Sequence, residues 1–281
     1  MVAFEPPMLQ RQSTVRDGLL EAGITPYNSF TYDHMYGTKI GGTIFDRDEH
    51  RHTAADLLQY SNPDGLRVLL HATVGRILFR QTVAHGVVFH DAAGVRHRAY
   101  LNDGAKNEIV VCAGAVGSPQ LLMLSGVGPR DHLESLGIEV VVDQPMVGQS
   151  MSDNPMNAIF VPSPTPVEVS LIQVVGITRM ALNFPTNLLP KHDNASKSVE
   201  QFCKDTVMTI WHYHGGCQVG QVVDKDYKVV GVDALRVVDG STFNFSPGTN
   251  PQATVMMLGR YVGIKIQNER RETDDEVERK S

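Results

Sequence analysis

The chain has 281 residues, of which 42% are hydrophobic and 20% charged, and its formal net charge is -6. This composition suits one large or two ordinary folded domains and excludes an intrinsically disordered chain. No basic stripe indicates a nucleic-acid partner. No run of about 18 apolar residues predicts a membrane span, and the first residues lack the basic start and apolar stretch of a signal peptide.

The first 62 residues predict two helices separated by a loop. Residues 11–23 predict an amphipathic helix that ends at Gly23, with Pro26 beyond it. Residues 36–43 contain three glycines and predict a loop. Thr53 predicts the N-cap of a second helix, because a threonine hydroxyl can accept a hydrogen bond from the first helical turn.

Residues 66–146 carry the clearest pattern of the chain. Four apolar runs predict strands: residues 66–70, 87–89, 108–114 and 138–142. The third is expected to be a buried strand that runs into a glycine turn, with Cys112 buried in it. Ser118 and Pro119 are favoured at the N-cap and first position of a helix, and Gly126 favours its end. Strand, turn and helix in succession predict an α/β layer.

The remaining segments are more weakly patterned. Residues 161–166 are rich in proline and predict a loop or an edge segment. Residues 167–177 predict one strand, and the pattern decays after Arg179. Residues 267–281 form a charge run, which predicts a solvated or frayed end.

The last third of the chain contains three polar segments punctuated by glycine or proline: residues 211–217, 237–241 and 250–254. They include a histidine, His212, and an asparagine, Asn250. Oxidation of an alcohol by hydride transfer needs a base for the hydroxyl proton, and histidine is the usual base near neutral pH. A second polar group must hold the oxygen. The residues alone leave open a structural role for His212 in the core.

A metal site is the alternative use of this region. His212, His214 and Cys217 would supply three ligands, but their spacing matches no standard zinc module and no fourth ligand follows nearby. We therefore predict no metal, and a supporting structural role for His214. With Cys112 and Cys203, the chain has three cysteines, which do not form a disulfide framework. A single disulfide between Cys203 and Cys217 stays open.

Three stretches of the chain resemble the glucose-methanol-choline (GMC) flavoprotein oxidoreductases: residues 114–128, residues 145–149 with Asp153 and Asn154, and residues 211–254. The first resembles the second signature of the family over its full length. The last resembles the catalytic C-terminal region of the family. Its motif Trp-His-Tyr-His-Gly-Gly-Cys most resembles the plant branch of the family, which contains the HOTHEAD-like proteins and the mandelonitrile lyases. In all, residues 1–178 and 200–266 share the resemblance.

The resemblance implies FAD as the cofactor and a small-molecule alcohol as the substrate. It implies an α/β fold, α+β overall, in which a partial Rossmann-like FAD-binding layer accompanies a remnant of an antiparallel substrate-domain sheet. The implied segments are residues 1–62 and 151–205 for the substrate domain, 63–150 and 206–266 for the FAD-binding and catalytic portions, and 267–281 for a charged tail.

The resemblance also implies roles for eight residues. His212 matches the family's histidine base, and Asn250 matches its partner position, where the lyases carry histidine. Val74 matches the residue whose backbone meets the adenine, although the residues alone assign it to an ordinary strand. The other five fall at positions that contact the flavin: Trp211, Asp239, Gly240, Pro251 and Gln252.

General chemistry supports some of these flavin positions. Gly240 would permit a close approach of the backbone to a ligand. Pro251 and Gln252 are predicted to lie at a helix N-terminus, whose amide groups would meet the electron-rich carbonyl of a flavin.

Three departures from the family pattern bear on activity. The chain contains no Gly-x-Gly-x-x-Gly loop for the FAD pyrophosphate, and it lacks the glycine-rich motif that lies beside the flavin ring. It also passes from Thr178 to Asn183 as if an internal segment had been deleted. Three hypotheses follow: a FAD-dependent oxidoreductase acting on CH–OH groups, a truncated and inactive family member, and a hydroxynitrile (mandelonitrile) lyase. Asn250 in place of histidine disfavours the lyase.

Overall fold

The computed structural model describes residues 4–33, 35–104, 106–158, 163–167, 173–178, 199–248 and 250–278. Within them the strands are β1 (Tyr27–Phe30), β2 (Gly37–Ile40), β3 (Thr73–Arg80), β4 (Val83–His90), β5 (Arg96–Tyr100), β6 (Ile109–Val111), β7 (Val127–Gly128), β8 (Val142–Asp143), β9 (Pro155–Met156), β10 (Val174–Ile177), β11 (Met208–Thr209) and β12 (Leu235–Val237). The α-helices are α1 (Gln10–Glu21), α2 (Gly114–Leu124), α3 (Arg130–Ser135), α4 (Val199–Thr206) and α5 (Gln252–Glu278). Two 3₁₀ helices span Ala54–Tyr60 and Gly240–Thr242.

The chain divides into two compact units. The first comprises residues 1–66 and 157–207, and the second comprises residues 67–156 and 208–281. Each described sheet lies within one unit. The assignment of five segments to a substrate domain, a FAD-binding domain and a tail stays a prediction. Among the described helices, none combines the length and the hydropathy that crossing a membrane requires.

The first unit contains a three-stranded sheet in which β2 is central, parallel to β1 and antiparallel to β10. Helix α1 confirms the helix predicted over residues 11–23, and it reaches the sheet through Gln12, whose buried side-chain oxygen accepts the N–H of Val174 at 3.3 Å. The strand predicted over residues 167–177 is observed at its end, as β10; residues 168–172 lie outside the described part of the chain.

The loop predicted over residues 36–43 is wrong, because residues 37–40 form the fully buried strand β2. Gly37 is required there both for its conformation, with φ +113°, and for packing. A Cβ atom at this position would lie 2.2 Å from the carbonyl oxygen of Pro26. This conformation and the close packing of two backbones, which local patterns do not reveal, together explain the glycine.

Thr53 caps the following helix as predicted. Its hydroxyl accepts the N–H of Ala55, and the side chain of Asp56 accepts the N–H of Thr53, so that the two ends of a capping box are present. The helix is a 3₁₀ helix rather than an α-helix. His52 lies between two carboxylates, 2.9 Å from Asp46 and 3.1 Å from Asp56, and these contacts raise the pKa of its imidazole.

The second unit is built from several small sheets around a main apolar core, with a smaller cluster of Val238, Leu258 and Val262 at α5. Strands β3, β4 and β5 form an antiparallel meander, β6 pairs with β12 in parallel, and β7 pairs with β8 in parallel. The core includes Ile77, Val111, Leu122 and Val237, which come from β3, β6, α2 and β12. This mixture of parallel layer, antiparallel meander and helices confirms an α/β fold that is α+β overall.

Of the four strands predicted over residues 66–146, the structure confirms two, retains only the end of a third and lacks the fourth. Strand β4 confirms the strand expected at residues 87–89, and β6 confirms the one expected within residues 108–114. The strand expected over residues 138–142 is reduced to its end, at β8. The strand expected over residues 66–70 is wrong, since these residues form no strand, and Leu70 is 78% exposed. An apolar run becomes a strand only where a neighbouring strand pairs with it, and no described residue does so here.

Burial of β6 is one-sided. Val111 faces the core, whereas Val110 is 41% exposed and Cys112 is exposed, so the expectation of a buried Cys112 is wrong. Among the described residues β6 has one strand neighbour, β12. The apolar pattern of residues 108–114 predicted a strand that is packed on both faces. The described residues pack against only one face of β6.

A buried arginine in β12 forms an ion pair with the C-terminal helix α5. Arg236 in β12 is 2% exposed and donates to Glu108 at 2.6 Å, to Glu269 at 2.5 Å and to the carbonyl of Asp226 at 2.7 Å. Glu269 lies within the charge run that predicted a solvated or frayed end. That expectation is wrong in part, because α5 continues to Glu278 and Glu269 forms this ion pair.

We expect Arg236→Met to lower the free energy of unfolding by about 3–5 kcal/mol, because it leaves the largely buried carboxylate of Glu108 without its cation. Urea denaturation measures the change. The control is Arg130→Met, whose ion pairs with Glu134 and Asp143 are half-exposed and contribute about 0–1 kcal/mol. Equal stability of the two variants would contradict the prediction.

The same ion pair predicts a pH dependence. The hydrogen bond from Arg236 lowers the pKa of Glu269 below its usual value, against the smaller effect of burial. A lowered folded-state pKa stabilises the fold above the unfolded pKa, and this contribution is lost as the pH falls through the folded pKa. Acid titration of stability should therefore show a smaller loss in Arg236→Met than in the wild type.

Candidate functional site

The candidate site lies at the carboxyl ends of the parallel strands β6 and β12. The two strands are in register from Ile109 opposite Leu235 to Val111 opposite Val237, and the N–H of Val238 continues the ladder by donating to Val111. Side chains that follow parallel strands meet at one edge of the sheet. Asp239 therefore lies next to the segment that leaves β6.

The carboxylate of Asp239 joins the two strand ends. One oxygen accepts the N–H of Ser241 at 2.8 Å, and the other accepts the N–H of Gly114 at 3.0 Å and the hydroxyl of Ser118 at 2.5 Å. Asp239 is 5% exposed. It places a negative charge at the first residue of α2 and at the first turn of the 3₁₀ helix, where the backbone dipoles favour an anion.

The predicted start of α2, with Pro119 at the first helical position, is wrong by five residues. The helix begins at Gly114, and Ser118 lies inside it instead of capping it. The Ser118 hydroxyl accepts the N–H of Ala113 at 3.0 Å and donates to Asp239. The group that binds the first helical N–H is therefore the side chain of Asp239, 125 residues further along the chain. No local pattern reveals a cap at that separation.

The segment that carries His212 runs beside the 3₁₀ helix that follows Asp239. The N–H of Gly215 donates to the carbonyl of Gly240 at 3.2 Å, and the N–H of Cys217 donates to Ser241 at 2.9 Å. Gly215 has φ +83°, and a Cβ atom there would lie 2.3 Å from the carbonyl oxygen of Ser150. This position requires glycine, both for its conformation and for the close packing of two backbones.

His212 is half-buried and is held through its backbone. Its N–H donates to a carboxylate oxygen of Asp153 at 2.7 Å, while its ring Nδ1 is buried with no hydrogen-bond partner among the described residues. A buried ring nitrogen without a partner retains capacity for one further hydrogen bond. His214 differs, because it is buried and its Nδ1 donates to the carbonyl of His212 at 3.2 Å. The supporting role predicted for His214 fits this contact.

The other candidate residues are more exposed. Trp211 is 68% exposed and has φ +60°, an unusual backbone conformation for a residue other than glycine. Asn250 is exposed, and helix α5 begins at Gln252 directly after Pro251, which confirms the predicted helix N-terminus. The side chain of Asn154 donates to the carbonyl of Gly248 at 3.2 Å and thereby links the strand beside His212 to the segment that leads to Asn250.

Hydrogen bonds thus connect most of the eight predicted site residues through shared neighbours. Asp239 and Gly240 adjoin the segment that bears Trp211 and His212. The segment of Asn250, Pro251 and Gln252 is connected through Asn154. Val74 lies in β3, partly exposed, and no described hydrogen bond joins it to the others. The roles of all eight stay predictions.

Sequence patterns miss the roles of two residues that organise this region. They predict Ser118 as a helix cap and include Asp153 only as part of a stretch that resembles the GMC family. In the structure each of them bonds a residue distant in sequence: Ser118 donates to Asp239, and Asp153 accepts the N–H of His212. The family resemblance could have identified Asp153. No sequence pattern indicates the contacts of Ser118.

Among the described residues no group with metal-ligand geometry includes Cys217, although its N–H donates to the segment after Asp239. Burial raises the pKa of the Cys217 thiol to about 12, so it is protonated and a poor ligand at neutral pH. Among the described residues the group with metal-ligand geometry is Asp46, Asp48 and His50, an exposed cluster in the first unit. It contains neither His212 nor His214.

A cavity of about 720 Å³ lies at the opposite ends of the same two strands. Its lining includes Glu108 and Ala234, which precede β6 and β12, together with Arg80, Asp233 and Arg236. None of the eight predicted site residues lines it. The cavity is therefore separate from the candidate site.

Two family models match the chain. Residues 6–156 match one described as GMC oxidoreductase, and residues 171–259 match a second with the same description. The two matches are the N-terminal and C-terminal parts of that family, and together they contain all eight predicted site residues.

Curated plant proteins of more than one activity are similar to the chain. Protein HOTHEAD from Arabidopsis thaliana is 38% identical, with 96% of this chain and 69% of that protein covered. (R)-mandelonitrile lyase 1 from Prunus serotina is 34% identical, covering 97% and 67%. Sinalpyl alcohol oxidase Nec3 from Nesocodon mauritianus is 35% identical, covering 94% and 66%.

The alignment with HOTHEAD supports the prediction of an internal deletion. It extends over 410 positions, whereas this chain has 281 residues, so at least 129 aligned positions contain no residue of this chain. These positions lie inside the aligned stretch. The predicted point of deletion, between Thr178 and Asn183, falls outside the described residues.

Solved structures agree on the fold. The formate oxidase of Aspergillus oryzae superposes with a TM-score of 0.72 at 17% identity, covering 95% of this chain and 72% of that one. At this identity the likeness concerns the fold alone. It agrees with the α/β class predicted from the sequence.

We expect Ser118→Ala to lower the free energy of unfolding by about 1–3 kcal/mol, because it removes a donor from the buried carboxylate of Asp239 and the side-chain acceptor of the Ala113 N–H. Chemical denaturation measures this. Ser135→Ala is the matched control, since its hydroxyl bonds a carbonyl at an exposed helix end and its loss should be near neutral. A loss no larger than that of the control would refute the account of Ser118.

Proposed function

Because this chain belongs to the GMC oxidoreductase family, we propose that it is a FAD-dependent oxidoreductase acting on the CH–OH group of a small alcohol. The observation that carries the proposal is the imidazole of His212. Among the described residues no hydrogen bond engages its ring, while its backbone is held beside the strand ends where cofactors bind in α/β sheets. A half-buried histidine with spare hydrogen-bonding capacity suits a general base.

FAD is the cofactor of the family, and the residues present suit its flavin end. The first N–H groups of α5, from Gln252 onward, have no partner within the helix, and such a terminus favours the electron-rich flavin carbonyl. Pro251 directly precedes this terminus, and Gly240, after the end of β12, has no side chain that would block a ligand. In contrast, the chain contains no Gly-x-Gly-x-x-Gly loop for the pyrophosphate. The fit is therefore to the flavin ring rather than to the whole dinucleotide.

In the proposed oxidation, His212 and Asn250 would have different roles. His212 removes the hydroxyl proton of the alcohol, which makes departure of hydride from the carbon easier. The carboxamide of Asn250 holds the same oxygen by a hydrogen bond. FAD, when bound, supplies the acceptor for that hydride. The substrate thus loses one proton and one hydride and leaves as the carbonyl compound.

We expect the purified full chain, after incubation with FAD, to retain flavin absorption that bleaches when benzyl alcohol or a long-chain primary alcohol is added anaerobically. His212→Asn should keep the flavin and lower the rate of bleaching about 10²–10⁴-fold. His132→Asn, at an exposed position in α3, should match the wild type. Protein that stays colourless and cannot be reconstituted with FAD would sink the proposal.

A second candidate is an inactive family member, and the exposed apolar surface of the chain favours it. Residues 66–70 and one face of β6 are apolar and uncovered among the described residues. Thermal denaturation separates the two candidates. A sharp transition raised by FAD supports the oxidoreductase, because a ligand stabilises only a folded state that binds it. A broad transition that FAD leaves unchanged supports the inactive member.

Similarity to the Prunus lyase also calls for a direct test. Asn250 stands where the resemblance places a histidine in lyases, and this disfavours cyanohydrin cleavage. Release of cyanide from mandelonitrile above the uncatalysed rate would favour the lyase over the oxidoreductase.

A further inference from the structure

The segment that bears His212 is one side of an antiparallel ladder. Residues 148–156 run alongside residues 208–216: β9 pairs with β11, Ser152 exchanges two hydrogen bonds of 2.9 Å with His214, and the N–H of Gly148 donates to Gly216 at 2.8 Å. All of these residues lie in the second unit.

The ladder is interrupted where His212 lies. Pro155 is opposite Thr209, and Ser152 is opposite His214. Two residues on one strand, 153 and 154, therefore face four residues on the other, 210–213. The longer side must bulge, and Trp211 adopts φ +60° within the bulge. A bulge of this size leaves main-chain N–H groups that the ladder itself cannot satisfy.

Residues 153 and 154 satisfy these N–H groups from the shorter side. The carboxylate of Asp153 accepts the N–H of His212 at 2.7 Å and also the hydroxyl of Thr209. The Thr209 oxygen in turn accepts the N–H of Trp211 at 3.0 Å. The carbonyl of Asn154 accepts the N–H of Ile210 at 3.3 Å. Three consecutive N–H groups are thus bound, two of them through Asp153 and Thr209.

This arrangement requires a carboxylate. Asp153 also accepts the N–H of Asn154 at 2.8 Å, so both of its oxygens act only as acceptors. Burial raises its pKa, but the hydrogen bonds from Thr209, Asn154, His212 and Trp211 together outweigh burial and lower the pKa below the usual value. An asparagine of the same shape would present an NH₂ group to one of these donors.

We propose that Asp153 is a positioning residue for His212, which it fixes through the backbone of the bulge and through Thr209. The inference rests on the proposed function of His212 as the base. A catalytic histidine is commonly oriented by a partner on its second ring nitrogen. His212 has no such partner at Nδ1 among the described residues, so its orientation depends on the bulge that carries it.

Trp211 makes the bulge observable without any cofactor, because it is the one tryptophan of the chain and adjoins His212. We expect Asp153→Asn to lower the anisotropy of tryptophan fluorescence and to increase its quenching by acrylamide. Thr209→Val should do the same to a smaller extent, and Thr209→Ser, which keeps the hydroxyl, should restore the wild-type values. Asp143→Asn, at an exposed position in β8, is the control.

The pH dependence of tryptophan fluorescence gives an independent test of the role of Asp153. Protonation of Asp153 removes an acceptor, so the wild-type fluorescence should change as the pH falls through the lowered folded-state pKa of this group. Asp153→Asn should lack that transition.

Measurement of turnover then tests whether Asp153 positions His212 for catalysis. In FAD-loaded protein, Asp153→Asn should lower kcat about 100-fold, the cost of a misplacement on the order of 1 Å, with much less effect on KM. Thr209→Ser should again resemble the wild type. A base that keeps its position would leave kcat unchanged in Asp153→Asn, and this result would overturn the proposal.

The two proposals fail in different ways. A wild-type chain without turnover refutes the proposed function, and the fluorescence of the variants then decides alone whether Asp153 orders the bulge. Unchanged anisotropy and quenching in Asp153→Asn overturn the inference even if the wild type is active. Should Asp153→Asn fail to fold, the pair Thr209→Val and Thr209→Ser decides, since equal fluorescence of the two contradicts it.

Discussion

The carboxylate of Asp239 is the interaction on which the candidate site depends. It binds the first N–H of α2, the hydroxyl of Ser118 and the N–H of Ser241, and so joins the ends of two strands that are far apart in sequence. A buried carboxylate is costly unless hydrogen bonds satisfy it, and these donors do so. Because β6 and β12 end together, the segments that leave them form a common edge to which the His212 segment attaches through Gly240.

Two buried or half-buried aspartates thus perform related tasks. Asp239 joins strand ends, and Asp153 satisfies the N–H groups of the bulge that bears His212. In both cases a side chain accepts main-chain N–H groups where regular pairing stops. Irregular backbone is where functional side chains can project from a rigid framework. The arrangement explains how His212 is held through its main chain while its ring nitrogen stays unengaged.

The same framework carries uncovered apolar surface. Val110 on β6 and residues 66–70 belong to patterns that normally lie inside a sheet, yet they are exposed among the described residues. The alignment with HOTHEAD contains at least 129 positions without a counterpart here. Together these observations describe a family member whose predicted site residues lie on an ordered framework, while part of its apolar surface has no neighbour among the described residues. This contrast is what keeps an active oxidoreductase and an inactive family member both open to experiment.

The sequence by itself determined the family, the α/β class, FAD as cofactor, Thr53 as the cap of the helix that begins at Ala54 and the helix N-terminus at Gln252, because these depend on local patterns or on long motifs. Tertiary structure alone decided that residues 37–40 are a buried strand, that residues 66–70 are not a strand, and that Asp239 rather than Ser118 binds the first N–H of α2. The reason is physical. A cap, a paired edge or a close backbone approach requires a partner, and here the partner lies between 11 residues (Pro26 for Gly37) and 125 residues (Asp239 for Gly114) along the chain, beyond the reach of a local pattern.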